Sequence, residues 1–198
     1  MPANIASGPA SSDRALLERF RRGDPAAAEA LARQACRLAL RTSAAILGSR
    51  EEAADIAQDV AVDVLGSVGR LRDPGAFDAW VHRITARHAL RQLGRRGRAR
   101  AAETPLALLS ESDEPTAPDG PDRAALLAAR GLLAAALAEL PPRQRLALAL
   151  RYVHDLSDRE IAAALDCRQG TVAALLSRGR AALRRDPHLA PLAPGGTR

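Results

Sequence analysis

The chain has no lysine; all 29 of its basic residues are arginine. That choice by itself carries no functional reading. Aromatic residues make up 2% of the 198 positions and are limited to Phe20, Phe77, Trp80 and Tyr152, so any core must be aliphatic. There are two cysteines, Cys36 and Cys167, far apart in the chain. They exclude a disulfide framework and a thiolate metal site, and they suit a reducing cytoplasm. No apolar run reaches membrane length, and the N-terminus lacks a signal-peptide core. What remains is rich in Ala, Leu and Arg, which argues for an all-helical protein. The length allows one domain or two small ones. A formal charge of +6 favours a polyanionic partner.

Caps and breakers divide the chain. Residues 1–12, rich in Pro, Ala, Ser and Gly, read as a disordered arm. Asp13 can cap a first helix, which Gly23 stops. Asp24 and Pro25 supply a cap and an N1 proline for a second helix carrying Leu31, Ala35, Leu38, Thr42, Ala45 and Ile46. Gly48 ends it, and Ser49 with Glu52 forms a capping box for a third helix over 51–68. On that helix Ile56, Val60, Val64 and Val68 make an apolar stripe, and Asp55, Asp59 and Asp63 make an acidic one. Like charges at this spacing oppose the helix slightly. The stripe reads either as a solvated face or as a docking face for a basic partner.

A loop over 69–74 leads to Asp73 and Pro74 and a fourth helix with Phe77, Trp80, Val81 and Ile84. Arg83, Arg87, Arg91 and Arg95 follow at four-residue intervals, then Arg96, and no acid lies between Asp78 and Glu103. A run this long without a compensating acid leans toward nucleic acid. Residues 101–122 combine four prolines with acids, Ser and Gly, and read as a flexible acidic linker. Asp122 can cap a helix through Leu140, with Leu126, Leu127, Leu133 and Leu137 as its apolar positions; Pro141 and Pro142 break it and start the next helix over 142–153.

The most informative stretch is 156–185. Ser157 and Glu160 form a capping box that opens a short helix with Ile161, Ala162 and Leu165. Asp166 and Cys167 break it, and a second helix starts near Gln169 with Val172, Leu175, Leu176 and Leu183 as buried positions. Short helices joined by a turn of about three or four residues match a helix-turn-helix. Arg168, Arg178, Arg180, Arg184 and Arg185 surround the second helix, with no acid between Asp166 and Asp186. That charge suits phosphate contacts. Residues 186–198 read as a disordered tail. His82, His88, His154 and His188 form no ligand motif and read as surface or packing residues. No phosphate-cradling loop, nucleophile elbow or paired-carboxylate site with a cleft to sit in is evident, so the expectation is a non-enzyme with no catalytic residue, metal or cofactor.

LPPRQRLALALRYVHDLSDREIAAALDCRQGTVAALLSRGRAALRR (140–185) resembles region 4 of sigma-70 family transcription initiation factors. EEAADIAQDVAVDVL through FDAWVHRITARHALRQLGRR (51–96) resembles their region 2, and the layout resembles the extracytoplasmic-function subgroup. The resemblance implies an all-α chain: a region 2-like domain over 13–100, the linker over 101–122 and a region 4-like helix-turn-helix domain over 123–185. It implies an alternative sigma factor in the cytoplasm, with core RNA polymerase, promoter DNA and an anti-sigma factor as partners. It places Asp55, Gln58, Asp59 and Asp63 on a polymerase-binding helix. It places Arg83, Arg87, Arg91, Arg95 and Arg96 on the helix that faces promoter DNA, and Arg168, Gln169, Thr171, Ala173, Ala174, Ser177 and Arg178 on the exposed part of the helix that reads the −35 element. The family's aromatics near Ala61 and Leu65 are absent, and Arg168 stands at a usual capping position. Ala reaches only a thymine methyl, so direct base reading by the helix is thin. A sigma-like regulator that does not open promoters and a plain helix-turn-helix repressor stand as the other readings.

Overall fold

A computed structural model of the protein describes residues 9–102, 121–187 and 189, with side chains over 13–97, 128–187 and 189. The arm before residue 9, the centre of the linker (103–120) and most of the tail lie outside the described residues. Within them are eight α-helices and no strand. α1 spans Pro9–Arg21, α2 Pro25–Leu47, α3 Arg50–Ser67, α4 Phe77–Ala102, α5 Pro121–Ala138, α6 Pro142–His154, α7 Asp158–Ala164 and α8 Gln169–Arg185. Short 3-10 turns at Val68–Arg70 and Pro74–Ala76 join α3 to α4.

Several boundaries differ from the sequence expectation. Asp13 caps nothing: α1 starts four residues before it, and Asp13 is buried and accepts a long hydrogen bond from Gln34 Nε2 (3.5 Å). Burial, with Asp78 nearby, pushes its carboxyl pKa up. Ser49 does cap α3 by accepting from Glu52 N (3.3 Å), but the reciprocal half of the box is missing. Glu52 instead takes the Arg96 guanidinium, because a charged fork is a stronger partner than one backbone N–H. Asp24 caps α2 by accepting from Ala26 N (2.9 Å), and a hydrogen bond from Arg19 holds its carboxyl below the usual range.

α2 and α3 form an antiparallel hairpin with α4 laid across both. Leu31 and Ala35 from α2, the Ile56–Val60–Val64–Val68 stripe, and Phe77, Val81 and Ile84 from α4 are buried together. In the second half α6, α7 and α8 pack around Leu146, Leu150, Ile161, Val172 and Leu176. Gly179 lets α8 approach α6, since a Cβ there would sit 2.9 Å from Leu148 Cδ1. Leu133 is exposed rather than buried, because the described part of α5 touches little beyond α2. The buried residues of both halves form one continuous cluster: α6 docks on α2 and α4, and α7 docks on α4.

Candidate nucleic-acid and polymerase interfaces

α3 presents its outer face to solvent because the every-fourth-residue apolar stripe turns the opposite face inward. Asp55, Gln58, Asp59 and Asp63 are all exposed on that face, with Val62 70% exposed among them. The acids are not equivalent. Asp63 Oδ2 lies 2.9 Å from His88 Nε2, and Asp59 Oδ2 lies 3.8 Å from His88 Nδ1. His88 on α4 therefore occupies the end of the acidic stripe nearer the α4 junction and leaves Asp55, Gln58 and the outer oxygen of Asp59 as the open portion.

Arg83, Arg87, Arg91 and Arg95 all stand exposed on α4, a stripe about 18 Å long at 1.5 Å per residue. Arg96 does not join it. Its Nε reaches Glu52 Oε1 at 3.1 Å and its Nη1 donates to the Leu47 carbonyl at 2.7 Å. The Arg96 guanidinium is engaged in holding α4 to α2 and α3, so this residue, expected with the basic stripe, is not available on it.

Between α3, the 3-10 turn and α4 lies a cleft of about 720 Å³. Leu71, Trp80 and Ile84 give it an apolar floor with exposed Val62 at its edge, and Arg70, Arg72, Arg83 and Arg87 give it a mainly cationic rim that Asp63 interrupts. Trp80 is held by Phe77, with ring centroids 6.3 Å apart. An aromatic floor under a cationic rim has the chemistry to hold an unstacked base and the phosphates beside it. Arg70, Arg72 and Trp80 were not among the residues expected from sequence. The signal was faint: arginines two apart in the connecting loop, and a tryptophan one turn before the arginine stripe. Ala61 is buried in α3, so an aromatic there would not reach this cleft without repacking the core.

The helix-turn-helix is built locally. Ser157 Oγ accepts from Glu160 N (3.3 Å), and Glu160 accepts from Ser157 N (2.8 Å) and Oγ (2.6 Å), the full capping box expected. Those bonds hold the Glu160 carboxyl below its ordinary range. Asp166 turns the chain in the left-handed region (φ 49°), and Arg143 Nη2 of α6 donates to the Leu165 carbonyl at 2.9 Å. Along α8, Arg168, Gln169, Thr171, Ala173, Ser177 and Arg178 are exposed, whereas Ala174 is half-buried. Arg168 caps the helix by position only, with no side-chain hydrogen bond. Arg168→Ser should therefore stabilise the fold by about 1 kcal/mol through a true N-cap. Urea unfolding measures this, and a stability equal to or below wild type would show that the Arg168 side chain holds α8 in another way.

These surfaces can be set beside known proteins. Residues 27–99 match the family described as Sigma-70 region 2, and residues 130–183 match Sigma-70, region 4. The chain belongs to the sigma-70 family, in its extracytoplasmic-function group. It is 31% identical over 185 residues to the RNA polymerase sigma-H factor of Pseudomonas aeruginosa, covering 91% of this chain and 95% of that protein. It is 37% identical over 148 residues to the ECF RNA polymerase sigma factor SigE of Mycolicibacterium smegmatis, covering 75% of this chain and 55% of that relative's length. Against the ECF RNA polymerase sigma-E factor of Escherichia coli K12 the identity is 28% over 181 residues, or 92% of that protein. The region 2 match contains both the acidic face of α3 and the cleft beside α4, and the region 4 match contains the helix-turn-helix.

Proposed function

We propose that this chain is an alternative sigma factor whose three exposed surfaces divide the work of promoter-specific initiation. The open end of the α3 acidic face, at Asp55, Gln58 and Asp59, docks core RNA polymerase. The cleft over Trp80 and the arginine stripe of α4 take the melted −10 strand. The exposed residues of α8 lie along the −35 element, where Arg168 and Arg178 contribute phosphate contacts and the small Ala173 leaves much of the selection to DNA shape. None of these surfaces carries catalytic groups; the chemistry belongs to the polymerase. The protein works in the cytoplasm, where promoter DNA is, and an anti-sigma factor would act by covering one of these faces. Among the described residues no helix is long and apolar enough to cross a membrane.

The observation that carries this reading is the cleft itself. A repressor of duplex DNA has no use for an aromatic floor under a cationic rim on a separate helical hairpin, whereas strand capture needs one. Trp80→Leu keeps an apolar side chain beside Phe77, at smaller volume, and removes the stacking face. Stacking is worth about 1–3 kcal/mol per base, so initiation by core polymerase from a duplex promoter should fall about tenfold or more. On a premelted template the loss should be smaller. Equal run-off transcription by wild type and variant on duplex DNA would remove the strand-capture role of this cleft.

A further inference from the structure

The docking of the two halves on each other is more specific than apolar contact requires. Arg41 Nη2 on α2 donates to the Val153 carbonyl at the end of α6 at 2.6 Å. Arg145 Nη1 on α6 donates to the Ile46 carbonyl at the end of α2 at 2.9 Å. Thr42 Oγ1 donates to the Leu38 carbonyl (3.0 Å), so its 2.8 Å contact with His154 is one in which His154 Nε2–H donates. His154 Nδ1 is then a bare lone pair. Its ring stands edge-on to His82 of α4, with centroids 4.5 Å apart. His82 is 2% exposed, and its Nδ1 has no partner in the described structure.

A compact chain of 198 residues has a radius of gyration of about 16 Å and is about 40 Å across. The −10 and −35 elements are separated, by their names, by about 25 base pairs, or roughly 85 Å at 3.4 Å per pair. With α6 and α7 seated on α2 and α4, the α4 stripe and the α8 face cannot occupy both elements together. We propose that this contact is an autoinhibitory latch, and that protonation of the His82–His154 pair releases it by placing an unpartnered N–H and a second positive charge inside the joint. The inhibitory half of this proposal rests on the promoter reading above.

The groups facing the pair set the direction. Asp13 comes from α1, Arg41 from α2, Asp78 from α4, Asp155 from the end of α6 and Glu160 from α7. Burial pushes His82 down to about 4, with Glu160 opposing the shift and Arg41 adding to it. Burial also pushes His154 down to about 4, helped by His82 and Arg41 and opposed by Asp78. Each histidine in the closed form thus titrates below its ordinary 6.5. The closed form is at full strength above that value. It weakens as pH falls toward 4, by about tenfold in the closed-to-open ratio per pH unit for the first proton taken up.

Small-angle X-ray scattering of the full chain tests the latch. Wild type should be compact at pH 7.5 and should expand by a quarter or more in radius of gyration at pH 5. His154→Arg should be expanded at both pH values with unchanged helical circular dichroism. His82→Phe with His154→Phe should stay compact at both; if that pair does not fold, His82→Phe with His154→Gln, which removes both imidazoles and keeps a neutral donor to Thr42, is read in its place. A wild type already expanded at pH 7.5, or neutral variants that open with acid as wild type does, overturns the proposal. Run-off transcription with core polymerase reads the inhibitory half: His154→Arg should initiate several-fold faster than wild type at limiting protein. An open His154→Arg chain that is no faster overturns that half. If no variant transcribes at all, the promoter reading falls, while the scattering result still decides the latch.

Discussion

Arg145→Met should unfold at a temperature lower than wild type by about 6–12 °C. Arg145 is 7% exposed, and its guanidinium serves three carbonyls from different elements: Ile46 at the end of α2 (2.9 Å), Leu140 after α5 (3.1 Å), and Ala138 at the α5 terminus. A helix end leaves its last carbonyls without intrahelical partners, and here one planar fork gathers them at the joint. Methionine keeps the stem volume but leaves those carbonyls buried and unserved. Relief of the buried charge offsets part of that loss, so a net cost of about 3 kcal/mol is expected. At about 2–4 °C per kcal/mol for a chain of this size, that gives the stated fall. Arg145→Lys should recover little, because an ammonium cannot reach across two helix ends as a fork does. Calorimetry checks both variants. A fall under about 1 °C for the methionine variant would mean that water or rearranged helix ends serve these carbonyls equally well.

Asp55→Arg combined with Asp59→Arg should weaken binding to core RNA polymerase by about 100-fold or more while leaving the melting temperature near that of wild type. Both side chains are exposed. Reversing two charges on a docking face sets like against like, which costs several kcal/mol, and each 1.4 kcal/mol is tenfold in affinity. The fold should tolerate the change. Repulsion between the two introduced arginines replaces the Asp–Asp one at the same spacing, new i,i+4 pairs with Glu51 and Asp63 offset it, and His88 keeps Asp63 at 2.9 Å when it loses the more distant Asp59. Asp63→Arg is a poorer probe, because it would strand His88 as well as alter the surface. Competition against wild type for labelled core polymerase measures the effect. Equal affinity with an unchanged melting curve would mean that the acidic stripe is a solvated face and nothing more.

The three surfaces were legible to different degrees. The helix-turn-helix was almost fully readable, since its signals are local: a capping box three residues apart, a turn residue that tolerates positive φ, and an arginine-rich helix with no acid in it. The acidic face of α3 was readable as periodicity, but the division of labour within it was not. His88 lies 25 residues from Asp63, and nothing in the spacing of either helix announces their contact. The same applies to Arg96, which the spacing assigns to the basic stripe and the fold assigns to Glu52 and Leu47. The cleft over Trp80 was missed because its walls come from two helices and a loop, none of which carries a motif alone.

The sequence by itself determined which segments are helical, where most of them start and stop, which faces turn inward, and the sigma-70 resemblance of both halves. These follow from caps, breakers and periodicity, which act over one or two turns. Only the tertiary structure decided how the halves meet. The acidic linker between them suggests independent domains, yet Thr42, His82, Arg145 and His154 come together from α2, α4 and α6 across a separation of up to 112 residues. The reason is physical. Burying a neutral histidine pair and a guanidinium against helix-end carbonyls depends on the shape of the whole joint, and no local pattern in the sequence encodes that shape.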